Sequence, residues 1–76
     1  MKELLAALAR ALVSEPEQVS VHEQDDRGRT LLELEVSPDD RGRVIGRGGR
    51  TAAALRTVLD AVAARHGQKC TLEILD

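Results

Sequence analysis

Phenylalanine, tyrosine and tryptophan are all missing from the 76 residues. Proteins that read single-stranded nucleic acid commonly stack bases on such rings, so any nucleic-acid contact here has to do without an aromatic platform. Cysteine occurs once, at Cys70. No disulfide can close within the chain, which suits a reducing compartment. No cationic start leads into an apolar run, and no apolar run approaches the ~20 residues of a membrane-spanning helix. The expected location is the cytoplasm, with no membrane partner. His22 and His66 stand apart from other ligand-type residues, so neither a metal site nor a cofactor is expected. A chain this short buries only about 60% of its unfolded surface. It is expected to form one domain, residues 1–76, too small to enclose a substrate easily.

The net charge of −2 hides a segregation. Residues 1–40 carry ten acids and four bases, a balance of −6, whereas residues 41–76 carry three acids and seven bases, a balance of +4. The second half therefore offers a positive field on an otherwise acidic molecule. Five of its arginines fall between Arg41 and Arg56, a stretch without a single acid. There the apolar pair Val44-Ile45 runs into Gly46-Arg47-Gly48-Gly49, which opens into an alanine-rich helical segment. Glycines let a ligand backbone approach closely. The first amides of a helix lack intrahelical partners and sit at its positive end. Together with arginines they make a site for an anion, and phosphate is the natural one.

Hydrophobic periodicity predicts a helix over 2–14 with Leu4, Leu5, Leu8, Ala11 and Leu12 on one face, ended by Ser14-Glu15-Pro16. A strand over 18–24, a turn at Asp25-Asp26-Arg27-Gly28 and a strand over 29–37 form an antiparallel hairpin, with Val19, Val21, Leu32, Leu34 and Val36 inward. Ser37 is placed to cap a short helix over 39–45, with Pro38 at its first position and Asp39 and Asp40 favouring its positive end. The next helix spans 50–66 with a stripe of Leu55, Val58, Leu59 and Val62, close to Ala52 and Ala63, and stops at Gly67. A last strand over 69–75 turns Cys70, Leu72 and Ile74 inward. Three helices then cover one face of a three-stranded mixed sheet, and a mostly polar face stays open apart from Leu31 and Leu75. Those two are either isolated surface leucines or part of a dimer contact.

Val44-Ile45-Gly46-Arg47-Gly48-Gly49, followed by Arg50-Thr51-Ala52, resembles the signature of KH domains, in which a G-x-x-G loop between two helices clamps a nucleotide backbone. The order α-β-β-α-α-β resembles the type II form of that α+β fold. A chain of this length resembles the small bacterial KH proteins of the KhpA type. The resemblance implies single-stranded RNA binding without an enzymatic step, in RNA chaperoning or post-transcriptional regulation. It also implies pairing, as a homodimer or as a heterodimer with a larger KH-domain protein, and a part in cell-envelope (cell wall) and cell-shape homeostasis. The expected RNA contacts are Arg43, Ile45, Gly46, Arg47, Gly48, Gly49 and Arg50. Arginine pairs bidentately with phosphate, and Ile45 with the helix face near Ala52 forms an apolar floor for bases. Gln68 and Lys69, on the loop after the long helix, are candidates for an opposite rim. Gly48 departs from the pattern, where a polar or basic residue is usual, and removes a side-chain contact.

An enzyme built on the glycine loop fits less well. A P-loop needs lysine where Arg47 stands, and a dinucleotide fingerprint needs glycine where Thr51 stands. No nucleophile has a neighbouring base, and no catalytic residue is expected. The acids of residues 15–40 read as a solvated face. The remaining alternative is a dimerising protein-interaction module whose RNA contact is secondary.

Overall fold

The computed structural model describes residues 1–76. Helix α1 (Lys2–Leu12) leads into strands β1 (Ser20–Asp26) and β2 (Arg29–Glu35), then α2 (Arg41–Ile45), α3 (Arg50–Arg65) and β3 (Lys69–Ile74). Short 3-10 turns occupy Pro16–Gln18, Pro38–Asp40 and Arg47–Gly49. The sheet order is β1-β2-β3, with β1 and β2 antiparallel and β2 and β3 parallel. This is the expected α+β arrangement, α-β-β-α-α-β, with three helices against a three-stranded mixed sheet.

The hairpin is tighter than expected. Asp25 and Asp26 pair with Thr30 and Arg29, leaving only Arg27 and Gly28 as the turn. Both have positive φ, 54° and 80°, the combination that matches the right-handed twist of the flanking strands. Along β2 the alternation holds: Thr30, Leu32 and Leu34 are buried while Arg29 and Glu35 are exposed. The core joins Leu5 and Ala9 of α1 to Val19, Val21, Leu32, Leu34, Val36, Val44, Leu55, Leu59 and Leu72. Burying each large aliphatic side chain contributes roughly 1.5–3 kcal/mol. Thr30 is the buried polar member of β2; its hydroxyl donates to Asp25 Oδ1 (2.9 Å) and meets the Gln68 carboxamide (3.0 Å).

Helix α1 stops at Leu12, before the expected end, because the next donors are taken elsewhere. The Ser14 amide and hydroxyl donate to Asp40 Oδ1 at 3.0 and 2.8 Å, and the Glu15 amide donates to Asp40 Oδ2 at 3.1 Å. Asp40 is thus fully buried and not part of a solvated acidic face. Ser37, expected as a cap, makes no capping hydrogen bond and is itself buried. The inward set also shifts. Ala11 and Leu12 are exposed, and so is Val58, because the core stripe of α3 runs through Ala52, Leu55, Leu59 and Ala63; Cys70 and Ile74 do pack against the core but stay half-buried on the edge strand. Leu31 and Leu75 are half-buried on the open side. Gly67 ends α3 as expected: its amide donates to Ala64 O (3.1 Å) and that of Gln68 to Ala63 O (2.9 Å), the Schellman pattern. No helix is long and apolar enough to cross a membrane.

Candidate nucleic-acid interface

The glycine loop sits at the corner between α2 and α3. Gly46 closes α2, its amide donating to Gly42 O at 2.8 Å, and its carbonyl accepts the Gly49 amide at 3.1 Å. Its φ of 78° and ψ of 169° lie in a region essentially restricted to glycine. Packing adds a second constraint: a Cβ on Gly46 would collide with Thr51 Oγ1 and stand 2.7 Å from the Thr51 amide nitrogen. Thr51 therefore fills the inside of the corner. Gly48, with φ 62° and ψ 19°, has nothing within 4 Å of where its Cβ would be.

The arginines around this corner differ in their freedom. Arg47 and Arg50 are exposed and form no ion pair. Arg43 is also exposed, but its Nε lies 3.4 Å from Asp40 Oδ1, so part of its guanidinium is already engaged. Arg41 is half-buried, and its Nε has no partner. Ile45 is 40% exposed beside the loop. Ala52, expected on an apolar floor near it, is buried in the core, and the neighbouring Ala53 is the exposed residue. Gln68 and Lys69 do not face the loop across a rim. They follow the C-terminal end of the 16-residue α3, about 24 Å of helix away.

The surface stripe of α3 that starts at Gly49 continues at helical spacing through Ala53, Arg56 and Asp60. It leads into a cavity of about 160 Å³ between α3 and β3, lined by Arg56, Leu59, Asp60, Cys70, Thr71 and Leu72. No spacing in the sequence links α3 to β3, so this cavity is not legible there. Strand β3 is an edge. The Lys69 and Leu75 amides donate to Gly28 O and Leu34 O, so the intervening backbone groups of Cys70 and Leu72 turn to the open side. Arg56 Nη2 donates to Leu72 O at 3.4 Å. Burial first, then the charges of Asp60 and Glu23, push the Cys70 thiol above its ordinary value, so at neutral pH it behaves as a small apolar side chain.

A different groove, of about 280 Å³, lies between α1 and α3, where Leu8, Ala11, Leu12, Thr51, Ala54, Leu55 and Val58 make an almost wholly apolar lining. No group of three or more His, Cys, Asp or Glu is placed to hold a metal ion.

Comparison with known proteins matches residues 2–74 to the family described as KhpA/KhpB, KH domain. Several relatives carry the name RNA-binding protein KhpA. That of Clostridium perfringens is 47% identical over 75 residues, covering 99% of this chain and 100% of the relative. That of Halalkalibacterium halodurans is 47% identical over 76 residues, covering all of both. That of Treponema pallidum is 45% identical over 75 residues, covering 99% of this chain and 94% of the relative. No solved structure matches significantly.

Proposed function

Because the chain belongs to the KhpA/KhpB KH-domain family, a non-enzymatic one, we propose that it is a cytoplasmic single-stranded RNA-binding protein. Residues 1–76 act as one KH domain that grips the RNA backbone through Gly46-Arg47-Gly48-Gly49, in RNA chaperoning or post-transcriptional regulation. The observation that carries this reading is the corner itself. Gly46 cannot be any other residue without displacing Thr51, and two exposed, unpaired arginines, Arg47 and Arg50, flank the turn. The RNA backbone passes over Gly46, Gly48 and Gly49, phosphates pair with Arg47 and Arg50, and Arg43 contributes what Asp40 leaves free. Ile45 offers apolar contact to an unstacked base. Phosphate contacts position a strand without reading it.

The test uses fluorescently labelled single-stranded RNA, because the chain lacks tryptophan and tyrosine. Anisotropy at two salt concentrations compares wild type with a variant carrying Arg47→Asp and Gly48→Asp. Arg47 is exposed, and Gly48 has open space and a left-handed backbone that aspartate tolerates, so the variant is expected to stay folded. Wild-type affinity falls with salt as phosphate contacts require, and the variant loses about tenfold or more. Equal binding by the folded variant sinks the loop as the site.

A second reading concerns partners. The apolar groove between α1 and α3 lies on a different stripe of α3 from the one leading out of the loop. It suits a protein contact that leaves the RNA face free. We infer that the chain pairs there with itself or with a larger KH-domain protein, and that the pair serves cell-envelope and cell-shape homeostasis, as the KhpA resemblance implies.

A further inference from the structure

The groove between α3 and β3 holds a carboxylate that binds nothing within the molecule. Leu59 and Leu72 are buried beneath it, and Arg56, Asp60, Cys70 and Thr71 stand around it. Arg56 is engaged with the Leu72 carbonyl. Asp60, one turn further along the same face, is exposed and takes part in none of the molecule's side-chain hydrogen bonds or ion pairs. From Gly49 to Asp60 the helix rises about 16 Å along the stripe that leaves the glycine loop.

A strand of RNA following that stripe meets its one acidic residue there. A phosphate is repelled by it, so the group opposite Asp60 is a hydrogen-bond donor, either a ribose 2′-hydroxyl, which every nucleotide carries, or the N–H groups of a base, which alone differ from one nucleotide to the next. In single strands the Watson–Crick edges are free to be read. Guanine presents two adjacent donors, N1–H and N2–H, that match the two oxygens of a carboxylate. Adenine and cytosine present one amino group next to a ring-nitrogen lone pair, which faces the second oxygen unfavourably. Uracil presents a single N–H between two carbonyls. Two parallel charge-assisted hydrogen bonds are the strong arrangement.

We propose that Asp60 is a base-selecting residue, favouring guanine at the nucleotide that lies between α3 and the free edge of β3. The proposal rests on the RNA-binding reading of the loop and adds a selectivity that the loop cannot supply. It is a preference at one nucleotide, several phosphates from the clamp.

The experiment compares four labelled octamers: oligouridine, and the same strand with one central guanine, adenine or cytosine. Wild type is expected to bind the guanine octamer about tenfold tighter than oligouridine, the scale of one bidentate base contact, with adenine and cytosine between. In Asp60→Asn, which keeps the side-chain size and loses the second acceptor, the guanine-to-uridine ratio falls to about twofold or less. Flat ratios in wild type, or an Asp60→Asn variant that keeps the guanine preference, overturn the proposal. The variant with Arg47→Asp and Gly48→Asp is run on the same four strands. If it loses all four while wild-type ratios are flat, only the role of Asp60 fails. If it binds all four as wild type does, the loop reading fails and the proposal with it.

Discussion

At the scale of single residues, glycines that look alike in the sequence have different reasons to be there. The spacing Gly46-Arg47-Gly48-Gly49 was enough to locate the turn and to predict its opening into a helix. It could not rank its members, because the ranking comes from Thr51, whose side chain occupies the inside of the corner. Gly46→Ala combines a backbone conformation costing about 1–3 kcal/mol with a collision against the Thr51 side chain and amide. Gly48→Ala faces open space and costs only the left-handed penalty, roughly 1–2 kcal/mol. Thermal unfolding followed by circular dichroism is expected to rank Gly46→Ala below Gly48→Ala, each kcal/mol lowering Tm by about 4–8 °C in a domain of this size. Equal losses would mean that Thr51 moves aside freely and that the corner is not rigid. A similar blindness explains Ala52 and Ala53: identical letters, one buried and one exposed, separated by a helical phase fixed only when Leu55 and Leu59 meet the sheet.

At the scale of elements, the helices, strands and their order were legible from periodicity and from punctuation by Pro16, Pro38 and Gly67, because those signals are local. The end of α1 and the start of α2 were not, since Asp40 joins them across 26 residues of sequence. Read locally, Asp39-Asp40 is a pair of acids at a helix start; in the fold, Asp39 is exposed and Asp40 is buried. The Ser14 amide holds the Asp40 carboxyl below its ordinary value of 3.8, with further lowering from the Ser14 hydroxyl, the Glu15 amide and Arg43, against burial, which raises it. A carboxyl whose pKa is depressed by folding adds stability above its unfolded pKa and loses it as pH falls through the folded one. Asp40 therefore stabilises fully at neutral pH, and its contribution fades only below about 3.8. Asp40→Asn is expected to lower Tm at pH 7 and to approach the wild-type Tm as the pH drops below that range. A Tm difference that stays constant from neutral to strongly acidic pH would show that the carboxylate charge plays no part in tying α1 to α2.

At the scale of the whole molecule, charge and apolar surface are laid out on separate faces. The open side of the sheet brings Glu33 beside Glu73 and carries Glu35 near the edge of the pairing, which turns a polyanion toward the helical side, where the arginines of residues 41–56 lie. The α1–α3 groove leaves Leu12 at 36% and Val58 at 43% exposure, although periodicity assigned both to the core. Periodicity reports that a side chain is apolar and on a stripe; it does not report whether the stripe is covered by this chain or by another. A domain this small gains much from association, and a carboxylate in the centre of an apolar contact opposes it strongly. Light scattering across a dilution series is expected to find wild type as a dimer at micromolar concentration and Val58→Asp as a monomer with the same far-ultraviolet circular dichroism. The variant with Arg47→Asp and Gly48→Asp should remain a dimer, because its changes lie on the loop and not in the groove lining. If wild type is monomeric throughout, self-pairing through this groove is wrong, and the same face is left for a second KH protein. If the loop variant dissociates with Val58→Asp, the RNA and pairing surfaces are one surface, and the separation of faces argued from the two stripes of α3 does not hold.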